Sequence, residues 1–311
     1  MKINILTPVR AGGPYNWGRD LVNQLSKRGF EAKHVHGLLE LLTSPLYQKA
    51  DIVHTSVPLA FRLWKKPVVL TIKGEYSIEK TIWQPLYPAA IRKANIVTTP
   101  SYFLKERLNL KDAIVIPNTI FPEQFRVVKH TDKDVVNLVT VTKFHFKDKA
   151  RGVLDILEIL SSLPREVHKH INYSVVGGGP YLGQVIREAK RCEVNVKFYG
   201  ILQDSRQVLQ GSNIFIYYSH HDNFPNVILE AMACGLPVIT NDVGAVSEII
   251  ENEKDGFIAT NHDSYGEYLF DLINNLNLRA KVGQKARKAV ESKFSWENVI
   301  DQYIDIYRKL V

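Results

Sequence analysis

Along nearly the whole chain, short β-branched runs alternate with amphipathic stretches, and no other feature narrows the fold as much. Lys2–Leu6, Ile52–His54, Val68–Ile72, Ile96–Thr98 and Ala113–Ile116 read as strands. Tyr15–Lys27, Leu59–Trp64, Leu86–Lys93 and Tyr102–Leu108 carry apolar residues at helical spacing between them. Such an order needs crossover connections, which build a parallel sheet with helices on both faces. The pattern pauses at Phe121–Asp134, a mixed-charge run with Pro122 and no periodicity. A second series then begins. Its strands are Val135–Val141, Asn172–Val176, Val194–Tyr199, Ile214–Tyr217 and Pro237–Thr240, and its helices Val153–Leu160, Tyr181–Lys190 and Val227–Ala233. The expected fold is therefore α/β: two doubly wound parallel-sheet, Rossmann-like domains facing an interdomain cleft. The expected boundaries are 1–125, a linker over 126–134, and a second domain over 135–294. A C-terminal helix over 295–311 could pack back on the first domain.

The length fits that division. A chain of 311 residues, 45% apolar, can fill two cores at about 150 residues each. No run approaches the roughly 18 apolar residues of a membrane span. The start, Met1–Pro8, stops being apolar too soon for a signal-peptide core. The two cysteines, Cys192 and Cys234, lie far apart, which argues against a disulfide scaffold and suits a reducing cytoplasm. Residues 1–125 hold 17 Lys and Arg against 9 Asp and Glu, while the remainder balances. The whole +8 surplus thus falls on the first domain and points to an anionic partner there. No groove-reading helix or stacking motif supports nucleic acid.

Ligands of open parallel sheets bind beyond the carboxyl ends of the strands, so the loops that follow strands hold the candidates. In the first, Gly12-Gly13 permits close backbone approach before a helix amino terminus. It forms neither Gly-x-Gly-x-x-Gly nor a P-loop. The loop after the second domain's first strand carries Lys143, Lys147 and Lys149, charges suited to a diphosphate. Gly177-Gly178-Gly179-Pro180 is a further glycine-rich turn before a helix. Asp222–Pro237 is the most informative segment: a loop carboxylate, Pro225 near a helix start, and Glu230 within an otherwise apolar helix. A carboxylate in that setting needs partners, such as a ribose diol. The first amides of the helix, near Asn226, Val227 and Ile228, can meet phosphate oxygens. His220 and His221, beside Asp222, find no metal-ligand partner by spacing.

The Asp222–Pro237 segment resembles the Glu-x7-Glu motif of family-4 retaining glycosyltransferases, two-domain enzymes of the GT-B fold. Gly12-Gly13, Ile116-Pro117-Asn118-Thr119, Lys143 with Lys149, Gly177–Pro180, and Asp242-Val243-Gly244 with Glu248-Ile249 match in the family's order. The resemblance implies a nucleoside-diphosphate sugar, UDP- or GDP-linked, bound mainly by the second domain. Glu230 would hold the ribose, and Lys143 and Lys149 the diphosphate. Gly12, Gly13 and the amides near Asn226, Val227 and Ile228 would also meet phosphates, with Asp222 at the donor sugar. No cofactor and no metal is implied, since lysines and helix ends neutralise the leaving group.

Three positions depart from the family pattern. Asp222 stands for a Glu, Lys143 for an Arg, and Lys73, in Leu70-Thr71-Ile72-Lys73-Gly74, for a His that touches the donor sugar. His54, at an earlier strand end, reads as structural. The implied activity is retaining transfer of a hexose to a hydroxyl acceptor, glycan or lipid-linked, by a cytoplasmic enzyme. Asp222, Lys73 and Lys149 would be its catalytic residues. The basic and aromatic Phe61–Lys66 and Lys80–Tyr87 stretches suit peripheral attachment to an anionic membrane. The alternatives are a nucleotide-sugar epimerase of the same fold and a nucleotide-sugar-binding protein with weak or no turnover.

Overall fold

The computed structural model describes residues 1–8, 12–37, 40, 49–58, 66–78, 83–129 and 135–311. The expected helix Leu59–Trp64, the Phe61–Lys65 basic run, Lys80 and residues 130–134 of the expected linker lie outside them. The chain divides into two compact units, Met1–Asn118 with Trp296–Val311, and Thr119–Ser295.

The first unit is a six-stranded parallel sheet built from β1 (Lys2–Thr7), β2 (Glu31–His36), β3 (Ile52–Thr55), β4 (Val68–Thr71), β5 (Ile96–Thr99) and β6 (Ile114–Val115). Its order is β2-β1-β3-β4-β5-β6. The inner strands β3 and β4 are buried at every residue; β4 accordingly reads as an unbroken apolar or β-branched run, which His54 interrupts in β3. Edge strand β2, Glu-Ala-Lys-His-Val-His, is mostly exposed or half-buried. Helix α1 (Gly13–Lys27) turns Trp17, Leu21 and Leu25 inward at helical spacing. Short helices α2 (Tyr87–Lys93) and α3 (Tyr102–Arg107) follow, the latter capped by Ser101, whose side chain accepts from the Leu104 amide.

The second unit repeats the scheme with β7 (Val136–Val141), β8 (Ile171–Val176), β9 (Asn195–Gly200), β10 (Ile214–Tyr217), β11 (Val238–Asn241) and β12 (Phe257–Ala259). All its pairings are parallel, in the order β12-β11-β10-β7-β8-β9. Helix α4 (Lys147–Ser162) buries Val153, Ile156, Leu157 and Leu160 against the sheet, each worth about 1.5–3 kcal/mol of transfer free energy. The longer helices α5 (Leu182–Ala189), α6 (Asn226–Ala233), α7 (His262–Asn274) and α8 (Leu276–Lys293) follow, with short turns of helix at Arg165–His168, Arg206–Gln210 and Val246–Ile249. In α7 a reciprocal capping box joins Asn261 and Ser264.

The order of this sheet reverses between β7 and β10: β8 and β9 follow on one side, β11 and β12 on the other. The loops after β7 and β10 therefore diverge and leave a crevice at the carboxyl ends of the strands. Those loops hold Lys143 and Asp222.

The described part of the expected linker is held to the second unit. Arg287 on α8 donates to the carbonyl oxygens of Pro122 (2.8 Å), Phe125 (3.1 Å) and Ala233, and the Val128 amide donates to Cys234 O at 2.8 Å. Residues Thr119–Ser295 therefore form the second unit, and the first unit's amino-terminal part ends at Asn118 instead of residue 125. One guanidinium gathers three carbonyls there, a set that spacing along the chain does not disclose. The last helix, α9 (Trp296–Arg308), is part of the first unit. It places Tyr303 OH 3.2 Å from Trp17 Nε1 and Tyr307 OH 2.6 Å from His54 Nδ1.

Candidate functional site

In the second unit, β10 ends at Tyr217 and the chain turns through Ser219 and Asp222 before α6 begins. Lys149 lies in the first turn of α4. Its ammonium donates to both Tyr217 OH and Asp222 Oδ2, and Tyr217 OH donates to the same Oδ2 at 2.5 Å. The ammonium also lies 5.0 Å from the centre of the Tyr217 ring. Asp222 Oδ1 accepts from the Asn223 amide at 2.8 Å. A lysine, a phenol and a carboxylate thus form one closed cluster at the crevice. Burial lowers the pKa of Lys149, while the Asp222 charge works against that shift. Burial, then the Asp222 charge, holds the Tyr217 hydroxyl well above its usual value, so it remains a donor.

Glycines hold this cluster in shape. A Cβ at Gly152 would overlap the Tyr218 backbone, and one at Gly244, where φ is +60°, would overlap Asp222 O. The Gly177–Gly179 turn fits against the loop that carries Lys143. Cβ atoms at Gly177 or Gly179 would overlap the backbone of Thr142 or Phe144, and Phe144 N donates to Gly178 O at 3.1 Å. The turn is therefore a packing device that supports the Lys143 loop. Lys143 itself is exposed.

Glu230 is on α6, one turn after Asn226, and partly buried. Burial pushes its carboxyl up to about 7; the Asp204 charge adds to this, and Arg206 and Lys143 oppose it. A site that raises a carboxyl so far lacks a full complement of donors for its charged form, the condition a ribose diol would relieve. One expected donor is not available. The Ile228 amide is taken by Pro225 O at 3.0 Å, because Pro225 closes a tight turn at the helix start. Asn226 is exposed and Val227 half-buried at the same end.

In the first unit, Gly12 takes φ +90° as the N-cap of α1, and Gly13 is the helix's first residue; both are exposed. Lys73 follows β4. Its ammonium donates to Asn118 Oδ1 at 2.9 Å and lies 4.5 Å from the centre of the Trp17 ring. Burial drives it down to about 7. His54 is fully buried, bridging Tyr307 OH and Thr71 Oγ1 at 2.6 Å each. Burial, reinforced by the Lys73 charge, lowers His54 to about 3, so it is neutral and structural. Tyr217 and Trp17 are absent from the candidates drawn from sequence. The one available sign for Tyr217 is its place at a strand end five residues before Asp222.

His220 finds its partner outside its own segment: Nε2 meets Asp155 Oδ2 on α4 at 2.7 Å. Among the described residues, no helix is long and apolar enough to cross a membrane.

Residues 131–289 match the family model described as "Glycosyl transferases group 1". The chain belongs to this family. N-acetyl-alpha-D-glucosaminyl L-malate synthase of Bacillus anthracis is 28% identical over 174 residues, covering 55% of this chain and 44% of that protein. An uncharacterized glycosyltransferase of Methanocaldococcus jannaschii is 23% identical over 282 residues, covering 85% of this chain and 70% of that one. The first match thus spans less than half of the relative's length. Among solved structures, sucrose-phosphate synthase from Thermosynechococcus elongatus aligns with a TM-score of 0.82 at 15% identity, covering 99% of this chain and 98% of that one. Anabaena HepE in complex with UDP aligns at 0.80 and 16% identity over the whole of both chains. These solved structures have the GT-B fold, and so does this chain.

Proposed function

We propose that this protein is a metal-independent, retaining glycosyltransferase of the family-4 kind that moves a hexose from a nucleoside-diphosphate sugar to a hydroxyl acceptor. The carrying observation is the Lys149–Asp222–Tyr217 cluster at the switch point of the second sheet, with Glu230 on the following helix. Glu230 accepts from the ribose hydroxyls. Lys143 and Lys149 hold the diphosphate, joined by Gly12, Gly13 and the start of α6. As the bond from the anomeric carbon to phosphate oxygen breaks, Lys149 stabilises the charge that builds on the phosphate. Asp222 faces the positive charge on the sugar. The acceptor oxygen bonds on the face the phosphate leaves, and its proton passes to a phosphate oxygen. UDP or GDP fits the donor; the Anabaena fold neighbour in complex with UDP, and in another structure with UDP-glucose, supports the former.

Lys73 stands in for the usual imidazole as a donor toward the sugar. The acceptor is a glycan or lipid-linked hydroxyl compound. The basic first unit attaches peripherally to an anionic membrane from the cytoplasmic side. Incubation with radiolabelled nucleotide sugars, scoring transfer, hydrolysis and epimer formation separately, tests the activity. Transfer to an added acceptor is expected; epimer formation alone, or binding without turnover, overturns it. Sedimentation with anionic and neutral vesicles at low and high salt tests the attachment. Equal, negligible binding to both rules it out.

A further inference from the structure

Away from the Lys149–Asp222 pair, four metal-competent side chains converge on α4. Asp155 and Glu158 are one turn apart on that helix, and His262 is the first residue of α7. One ligand atom from each of Asp155, Glu158 and His262 lies within 4.8 Å of the others. His220 joins from the loop after β10. The two imidazoles grip Asp155 from both sides: His220 Nε2 lies 2.7 Å from Oδ2 and His262 Nε2 3.3 Å from Oδ1. Tyr218 flanks both rings, with centroids 5.8 Å from His220 and 5.4 Å from His262. The Asn261–Ser264 capping box fixes the backbone from which His262 projects. Side-chain exposures of 19% for Asp155, 30% for His220 and 37% for His262 leave the cluster reachable from solvent.

We propose that Asp155, Glu158, His220 and His262 form a binding site for a divalent transition-metal ion, with Zn2+ the best fit. Two imidazole nitrogens and two carboxylates make a mixed N/O set of borderline softness, which suits zinc and cobalt better than magnesium or calcium. Ligands about 2.0–2.2 Å from a tetrahedral ion lie roughly 3.4 Å apart. Binding requires the Asp155, Glu158 and His262 atoms, now within 4.8 Å of one another, to settle at that spacing, with His220 reaching the ion beside Asp155. The two Nε2 atoms already point at Asp155, so the ion enters where the imidazole–carboxylate contacts now are.

Asp155 lies six residues beyond Lys149, about 9 Å along the axis of α4. His220 lies two residues before Asp222, and its amide approaches Asp148 O at 3.5 Å. A bound ion therefore ties the loop that carries Asp222 to the helix that carries Lys149, without touching either. Its role is to hold that loop, and it takes no part in the transfer step.

The test is calorimetric titration of the chelator-stripped full chain with zinc chloride, and with cobalt followed by visible absorption. Wild type is expected to bind one equivalent of zinc. Asp155→Asn and His262→Ala are each expected to weaken binding by about tenfold or more, and the cobalt band should disappear in Asp155→Asn. Cys192→Ser, which removes the half-buried thiol, should leave binding intact. Zinc should raise the thermal midpoint of the wild type by about 5 °C or more at a hundredfold excess over Kd, and not that of Asp155→Asn. His220→Gln supplies a second variant if His262→Ala misfolds. No saturable binding at millimolar zinc, equal affinity in the folded variants, or loss of binding in Cys192→Ser would each overturn the proposal.

Discussion

Gly152 on α4 sits so close to Tyr218 that any Cβ at this position would overlap the Tyr218 backbone carbonyl. The contact lets the first turns of α4 approach the end of β10, and so brings Lys149 to Tyr217 and Asp222.

Gly152→Ala is therefore expected to lower stability by about 1–3 kcal/mol through overpacking against rigid backbone. Calorimetric melting of the variant checks it. The expected fall in thermal midpoint is roughly 2–4 °C per kcal/mol for a unit of this size. An unchanged midpoint would mean that the helix is not seated on Tyr218.

Glu230→Ala should weaken nucleotide-sugar binding by about 1–3 kcal/mol, the scale of a lost charge-assisted hydrogen bond. Titration calorimetry on the folded variant decides it. A pH experiment gives an independent reading. Burial raises the folded-state value of Glu230 to about 7 from an ordinary value of 4.5, so the folded protein holds the proton more tightly than the unfolded chain. Stability should then fall as pH rises from about 4.5 through 7, by up to roughly 3 kcal/mol. Glu230→Gln should match wild type below that window and exceed it above. Parallel pH profiles for the two proteins would show that Glu230 is not held protonated.

Lys149→Ala should lower kcat more than it weakens donor binding, because the diphosphate gains charge as the sugar departs. Steady-state kinetics alongside donor titration separates the two effects. A rise in KM with kcat unchanged would assign Lys149 to ground-state binding alone.

Lys73→Ala should lose activity and Lys73→His keep a substantial part of it, if the ammonium replaces the usual imidazole. Full activity in Lys73→Ala would place the residue outside the chemistry. The buried ammonium also predicts a stability trend. Its folded-state value is lowered to about 7 from 10.5, so between those values the unfolded chain binds more protons. Stability should rise with pH across that window, and Lys73→Met should flatten the rise. Urea melts at a series of pH values check the slope.

The inner strands were legible in sequence because burial on both faces makes them continuous apolar or β-branched runs, as in β4 and β10. Edge strand β2 was not, since four of the six residues Glu31–His36 are charged or imidazole-bearing and only Val35 is fully buried. Three-residue β12 is too short to show a period. At the candidate site, Asp222 and Glu230 could be read from one contiguous segment. Tyr217 could not be joined to Lys149, because the two stand 68 positions apart and meet only through the β7–β10 neighbourhood. The His220–Asp155 contact, 65 positions apart, escaped for the same reason. Local periodicity reports which face is buried; it carries no information on which loops a sheet brings together.

Helix α9 has a consequence for how the polypeptide is made. Trp17 and His54 emerge early from the ribosome, yet their partners Tyr303 and Tyr307 emerge only after the whole of Thr119–Ser295. At about 5–20 residues per second that delay is roughly 10–40 s. The unit synthesised second can therefore finish folding first, while the nascent first unit waits without the Tyr303 and Tyr307 partners of Trp17 and His54. Chaperone engagement should concentrate in that interval, and a stalled chain ending before Trp296 should expose the first unit to proteolysis while leaving the second protected.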